Sequence, residues 1–120
     1  MDQSVFDYVK ERAEILSKSG ASTQVTKDAA QAWLDAVAAN ADAAEDAITK
    51  MLDILEVRPK TIDQVIAFAQ GPAAGVFGQE TADKMLAKHQ ERKAQGAKYC
   101  DCEACTAATE LLAKFGRIEL

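Results

Sequence analysis

The chain has 120 residues and a net charge of −5, from 14 basic and 19 acidic side chains. A chain of this length folds as one domain and buries about two thirds of its unfolded surface, so it needs no disulfides to form a core. Binding to phosphates needs a basic patch, and this acidic chain has no run of Lys or Arg. We therefore expect neither a nucleic acid nor a membrane as partner.

The position of the cysteines indicates the compartment. All three lie within residues 100–105, so they cannot join distant elements as the disulfides of secreted proteins do. Residues 1–16 carry acids where a signal peptide carries positive charge, and no stretch approaches about 18 uninterrupted apolar residues. We expect a cytoplasmic protein whose cysteines are thiols or metal ligands.

Composition and apolar spacing predict helices throughout. About a fifth of the residues are Ala and only two are Pro. The first amphipathic helix is predicted to begin with Ser4 as its N-cap and to end before Gly20. The second is predicted to begin at a cap at Thr26 and to end near Asn40.

Two prolines, at positions 59 and 72, mark helix boundaries in the middle of the chain. A third helix is predicted from Asp42 to residues 58–59, because the residue before a proline is disfavoured in helical conformation. Thr61 can cap a fourth, shorter helix that ends at residues 71–72. Residues 73–78, which contain two glycines, are predicted to form a turn or a single helical turn.

The C-terminal part predicts two more helices. One covers residues 79–93 and is followed by Gly96, and the other runs from residues 102–103 to Phe115. Because no strand pattern is present, we predict an all-α fold, with residues 1–120 in one compact bundle of five or six short helices whose neighbours are antiparallel. The side chains predicted to be buried are Trp33, Leu34, Val37, Ile48, Leu52, Val65, Ile66, Leu86, Cys105, Ala108, Leu112 and Phe115.

The cysteine segment, residues 100–105, contains the candidate metal ligands of the chain. Cys100, Cys102 and Cys105 place three soft ligands within six residues. A zinc or iron–sulfur site has metal–sulfur bonds of about 2.3 Å and needs sulfurs about 3.8 Å apart, which a loop entering a helix can provide. Cys102 and Cys105 then lie one turn apart at a helix start, where backbone N–H groups favour thiolates. The segment predicts a metal site with a structural or sensing role.

The fourth ligand of such a site is left open by the sequence. His89 is the only histidine, and it lies on an apolar stripe of its helix. In an antiparallel hairpin of the last two helices it lies about 8 Å along the axis from Cys105, so it is either a ligand or a buried, hydrogen-bonded residue. Asp101, Glu103, a water or a second copy of the chain are the alternatives.

Two other functions remain open at this point. A dithiol redox protein would act through Cys102 and Cys105, because a cysteine at a helix start can have a lowered pKa. A helical interaction module with incidental thiols, whose protein partner the sequence does not identify, is the other alternative. No paired carboxylates or phosphate-binding loop indicate an enzyme.

Four segments carry a resemblance to known proteins: residues 29–37, 66–69, 76–78 and 96–105, of which the last, GAKYCDCEAC, is the specific one. They resemble a family of small bacterial proteins that are sometimes labelled as heat-shock chaperones. The resemblance implies a helical fold with a thiol-rich end segment. It does not imply chaperone ATPase activity, which needs a much larger α/β nucleotide domain. Some family members carry further cysteines near the position of residues 22–25, where this chain has none.

Overall fold

Seven α-helices make up the fold in a computed structural model that describes residues 1–120. Of all residues 75% are helical, and no strand is present. The helices are α1 (Gln3–Lys18), α2 (Gln24–Ala39), α3 (Ala44–Leu55), α4 (Ile62–Gln70), α5 (Pro72–Phe77), α6 (Gln79–Ala94) and α7 (Glu103–Lys114). The all-α prediction is confirmed, but the helices number seven instead of five or six. None has both the length and the apolar character needed to cross a membrane.

The chain divides into two compact units, each described here by itself. The first unit contains Met1–Pro59 and Asp101–Glu119, and in it α1 packs against α2 and α7 while α3 packs against α2 and α7. Its core is one continuous apolar cluster. The cluster consists of Val9, Ala13, Leu16, Ala29, Ala30, Trp33, Ala44, Ile48, Met51, Leu52, Leu55, Ala104, Ala107, Ala108, Leu111 and Leu112. The indole Nε1 of Trp33 donates to the Ala44 carbonyl at 3.1 Å, so its polar atom is satisfied inside the core.

The second unit contains Lys60–Cys100 together with Leu120, and in it α4, α5 and α6 pack against one another. Its buried side chains are fewer and mostly smaller. They are Ile62, Val65, Ala69, Ala73, Ala82 and His89. Val76 and Phe77 of α5 remain exposed, although the Phe77 ring meets the Phe68 ring edge-on at 6.3 Å between centroids. The predictions of one domain over residues 1–120 and of antiparallel neighbours stay predictions.

Capping explains where several helices begin. Thr61 forms a complete capping box with Gln64, as predicted for the start of α4. The predicted cap at Thr26 is wrong: Thr23 is the N-cap of α2, and its hydroxyl accepts from the Thr26 backbone N–H at 3.3 Å. The three-residue spacing is that of an N-cap and its N3 position, so Thr26 lies inside the helix. Ser4 also lies inside its helix, since the N-cap of α1 is Asp2.

The burial predictions are confirmed for part of the set. Trp33, Ile48, Leu52, Ala108 and Leu112 belong to the core of the first unit, and Val65 is buried in the second. The side chains that are only half-buried are Leu34, Val37, Ile66, Leu86, Cys105 and Phe115. For the second unit the reason is size, because a small unit covers less of its apolar surface. On α7 the buried face centres on Ala104, Ala108 and Leu111, which leaves Cys105 at its edge.

Two charged pairs lie on the surface of the first unit. The Met1 ammonium lies 2.6 Å from the Glu45 carboxylate, and this hydrogen bond lowers the pKa of Glu45 below its usual value. Arg117 donates to Asp53 at 2.8 Å, and this hydrogen bond raises the pKa of the Arg117 guanidinium. The carboxylate side chains of Glu45 and Asp53 are 68% and 62% exposed, so both pairs add little to folding.

Candidate metal centre

The cysteine segment follows a sharp turn at the end of α6. Gly96 has φ of +95°, the left-handed conformation that glycine adopts at low cost. The Gly96 N–H donates to the Lys93 carbonyl and the Ala97 N–H to the Arg92 carbonyl, both at 3.0 Å. This pair of bonds is a Schellman motif. The chain therefore leaves α6 in a fixed direction toward Cys100.

Residues 98–100 are held by a short antiparallel pairing with residues 60–62. Thr61 and Tyr99 form an isolated β-bridge. The Ile62 N–H donates to the Lys98 carbonyl at 2.9 Å, and the Cys100 N–H donates to the Lys60 carbonyl at 2.8 Å. This pairing fixes the backbone of Cys100, and the sequence carried no strand pattern that predicted it.

Cys102 begins α7 and takes the role of its N-cap. Its Sγ accepts from the Cys105 backbone N–H at 3.2 Å, and its carbonyl accepts from the Thr106 N–H at 2.8 Å. Cys105 is thereby in the first turn of the helix, as the spacing predicted. The sulfur of Cys102 thus satisfies one of the backbone N–H groups that have no partner within the first turn of a helix.

The three predicted ligands lie together. The sulfur atoms of Cys100, Cys102 and Cys105 all lie within 4.8 Å of one another, and all three side chains are half-buried. The cysteines are thiols and form no disulfide. A tetrahedral metal site needs sulfurs about 3.8 Å apart, so small side-chain rotations bring these atoms to ligand distance. The arrangement could hold a metal ion.

We compared the chain with known proteins. Comparisons with protein-family models, with curated proteins and with solved structures give no match to the chain. The function is therefore argued from the geometry of the site.

The group that could hold a metal ion does not include His89, one of the candidates for the fourth ligand. The His89 side chain is 5% exposed, and its Nδ1 lies 3.1 Å from Nη1 of Arg92. A guanidinium can only donate, so Nδ1 is the acceptor in this contact. Nδ1 is thus already used as an acceptor within α6. Asp101 and Glu103, the acidic alternatives, are exposed and also lie outside the group.

Arg92 is a residue of this region that the sequence did not single out. Its Nη2 donates to the Tyr99 carbonyl at 2.9 Å, directly before Cys100. An arginine in the last turn of a helix is common because it favours the C-terminal end of the helix dipole. The only available signal was the three-residue spacing from His89, which by itself indicates nothing more than a shared helix face.

Proposed function

We propose that this protein binds a soft metal ion through the thiolates of Cys100, Cys102 and Cys105. The observation that carries the proposal is the approach of three cysteine sulfurs to within 4.8 Å of one another. Thiolate ligands select zinc, copper(I) and iron–sulfur clusters over harder ions. Thiols persist in a reducing compartment, so we also propose that the protein acts in the cytoplasm.

Zinc is the metal we favour, with an iron–sulfur cluster as the alternative. A common iron–sulfur cluster uses four cysteine thiolates, whereas the chain has three. Zinc sites with three protein ligands take a water or a substrate group in the fourth position. Such a site supports a sensing or transfer role, and a fourth ligand from a second chain would make the site structural.

Elemental analysis tests the proposal directly. Protein purified without oxygen or chelator is expected to carry one soft metal ion per chain, and Cys105→Ser is expected to lose it because a hydroxyl is a poor ligand for soft ions. Cys102 needs a matched pair of variants, since its sulfur is also the N-cap of α7. Cys102→Ser retains a capping oxygen and Cys102→Ala does not. Loss of metal in both variants supports a ligand role, and retention in the serine variant contradicts it.

Hydrogen exchange tests where the metal acts. The first unit has a core of its own, so removing the metal is expected to leave it folded, unlike a zinc finger. We expect the loss of protection on chelation to be concentrated in residues 96–106, because the later part of α7 packs in the core of the first unit. Global unfolding on chelation would contradict a peripheral metal site, and unchanged exchange throughout would favour incidental thiols.

A dithiol function is the second candidate, and one observation favours it. Cys102 is the N-cap of a helix with Cys105 three residues later, an arrangement that suits a nucleophilic thiolate and a resolving thiol. This function predicts a metal-free protein and a reversible Cys102–Cys105 disulfide at cytosolic redox potentials. Mass spectrometry of alkylated thiols in glutathione buffers measures that disulfide. No disulfide at those potentials would eliminate the second candidate.

A further inference from the structure

The peptide unit between Tyr99 and Cys100 is hydrogen-bonded on both sides. Its N–H, from Cys100, donates to the Lys60 carbonyl at 2.8 Å. Its carbonyl, from Tyr99, points the opposite way and accepts from Nη2 of Arg92 at 2.9 Å. A peptide unit is planar, so two bonds at opposite ends fix its orientation as well as its position. The Cα of Cys100 belongs to this plane, so its position is fixed as well.

Arg92 is itself held in the orientation that this bond needs. Its second terminal nitrogen, Nη1, lies 3.1 Å from Nδ1 of His89, one turn earlier on α6. His89 is buried, and α6 fixes the spacing between the two residues. The planar guanidinium presents donors in a rigid fork, so binding one acceptor aims the other nitrogen. The buried histidine thus orients the arginine toward the Tyr99 carbonyl.

We infer that Arg92 is a positioning residue for Cys100 in the thiolate site. This inference rests on the proposed metal-binding function. Without the Arg92 bond the Tyr99–Cys100 peptide loses one of the hydrogen bonds that fix its orientation, and metal binding must then supply more of that order. Partners that orient metal ligands in this way change metal affinity by about 10- to 100-fold when removed. The bond from Arg92 ends on the peptide of Cys100, so Cys100 is the ligand whose position it fixes.

A double-mutant cycle with Co(II) as the probe tests this inference. Affinity is measured anaerobically by competition with a chelator, and thiolate-to-Co(II) charge-transfer absorption reports the number of bound sulfurs. Arg92→Met is expected to lower the affinity by about 10- to 100-fold in the otherwise unchanged chain. In the Cys100→Ser background the same change is expected to cost nothing further, because the ligand that Arg92 positions is gone. Equal losses in both backgrounds would overturn the inference.

Two control variants separate positioning from charge and from folding. Lys93→Met removes one positive charge at the next position, where the side chain is exposed and paired with Asp63 at 2.6 Å, and it is expected to leave the affinity unchanged. Arg92→Lys keeps the charge but cannot serve two acceptors in a fixed fork, so an intermediate loss is expected. Wild-type affinity in Arg92→Lys would overturn the inference. If circular dichroism shows that Arg92→Met is unfolded, Arg92→Lys takes its place in the double-mutant cycle.

The cycle also distinguishes failure of the inference from failure of the proposed function. If the unchanged chain binds no Co(II), or if Cys100→Ser binds it as tightly, the three-thiolate site is wrong. If Cys100→Ser weakens binding while Arg92→Met leaves affinity and charge-transfer intensity intact, the site stands and the role of Arg92 is wrong.

Discussion

Each of the two units is stabilised internally by a different kind of interaction. The first unit buries a continuous apolar cluster that includes Trp33, Leu52 and Leu112. The second unit buries few large side chains and leaves Val76 and Phe77 exposed, so its three helices depend more on their ends. Three of those ends have a stabilising feature: a capping box at Thr61, a proline at the start of α5 and a Schellman motif at the end of α6.

This difference predicts which mutations lower the stability of each unit. Stability that is spread over packed side chains is lost by making cavities, whereas stability that comes from backbone hydrogen bonds at helix ends is lost by changing caps and turns. Segments with few buried apolar contacts also open at lower free energy. We therefore expect residues 60–100 to exchange amide hydrogens faster than the helices of the first unit. The following changes probe each side of this comparison.

Leu112→Ala is expected to have the largest effect. Leu112 is fully buried in the core of the first unit, and its truncation should cost about 2 to 5 kcal/mol through lost burial and a cavity. Trp33 is the only tryptophan and lies in the same core, so its fluorescence during urea unfolding measures this loss. Val57→Ala is the matched control, because Val57 is 77% exposed and should change stability by less than about 0.5 kcal/mol. A loss below about 1 kcal/mol for Leu112→Ala would refute the packed core.

Two glycine substitutions in the second unit are expected to have opposite signs. Gly96→Ala places a side chain at φ of +95° and should cost about 1 to 2 kcal/mol. Gly75 lies inside α5 with no neighbouring atom within 4 Å of an added Cβ, so Gly75→Ala should stabilise by about 0.5 to 1 kcal/mol. Amide exchange in residues 62–94 measures both changes. Equal effects of the two substitutions would show that the turn at Gly96 is not required.

Thr61→Ala removes the capping box of α4 and is expected to cost about 1 kcal/mol. The increase in exchange should be confined to the second unit, with the unfolding midpoint reported by Trp33 unchanged. Thr61→Ser keeps a hydroxyl that can cap and should retain most of the stability. A shift of the Trp33 transition by Thr61→Ala would contradict the separation between the two kinds of stabilisation.

The smallest expected effect is the titration of Glu45 on the first unit. The Met1 ammonium lowers the pKa of Glu45 in the folded state, so the pair contributes stability above the unfolded-state pKa of this carboxyl. That contribution is lost as the pH falls through the lowered, folded-state pKa. An NMR titration should find the pKa of Glu45 below the usual value of a glutamate, and acetylation of Met1 should raise it. A Glu45 pKa unaffected by acetylation would rule out the pair.

Local signals in the sequence were sufficient for most of the helices. Apolar spacing predicted an all-α chain, and the cap at Thr61 and the stop at Gly96 were read correctly because each depends on neighbours along the chain. The approach of the three cysteines was also predicted, since six residues that enter a helix can bring their sulfurs together.

Features that depend on distant residues were not predictable in this way. The half-burial of Cys105 depends on which face of α7 meets the core, and the bridge of Thr61 to Tyr99 joins residues 38 positions apart. Residues 73–78 were predicted to form a turn or a single helical turn, whereas Pro72–Phe77 form the six-residue helix α5. Pro72 is favourable at the first helical position, and one internal glycine costs only about 1 kcal/mol.

The sulfur of Cys102 caps α7 and is also a proposed metal ligand, which makes the start of α7 sensitive to thiol chemistry. The same atom that would bind a metal also accepts the Cys105 amide proton at 3.2 Å. Alkylation converts the sulfur to an uncharged thioether, a weak acceptor, whereas metal binding keeps thiolate charge on it. The Cys105 amide resonance thus becomes a native reporter: its chemical shift should separate thiol, metal-bound and alkylated chains without any attached label.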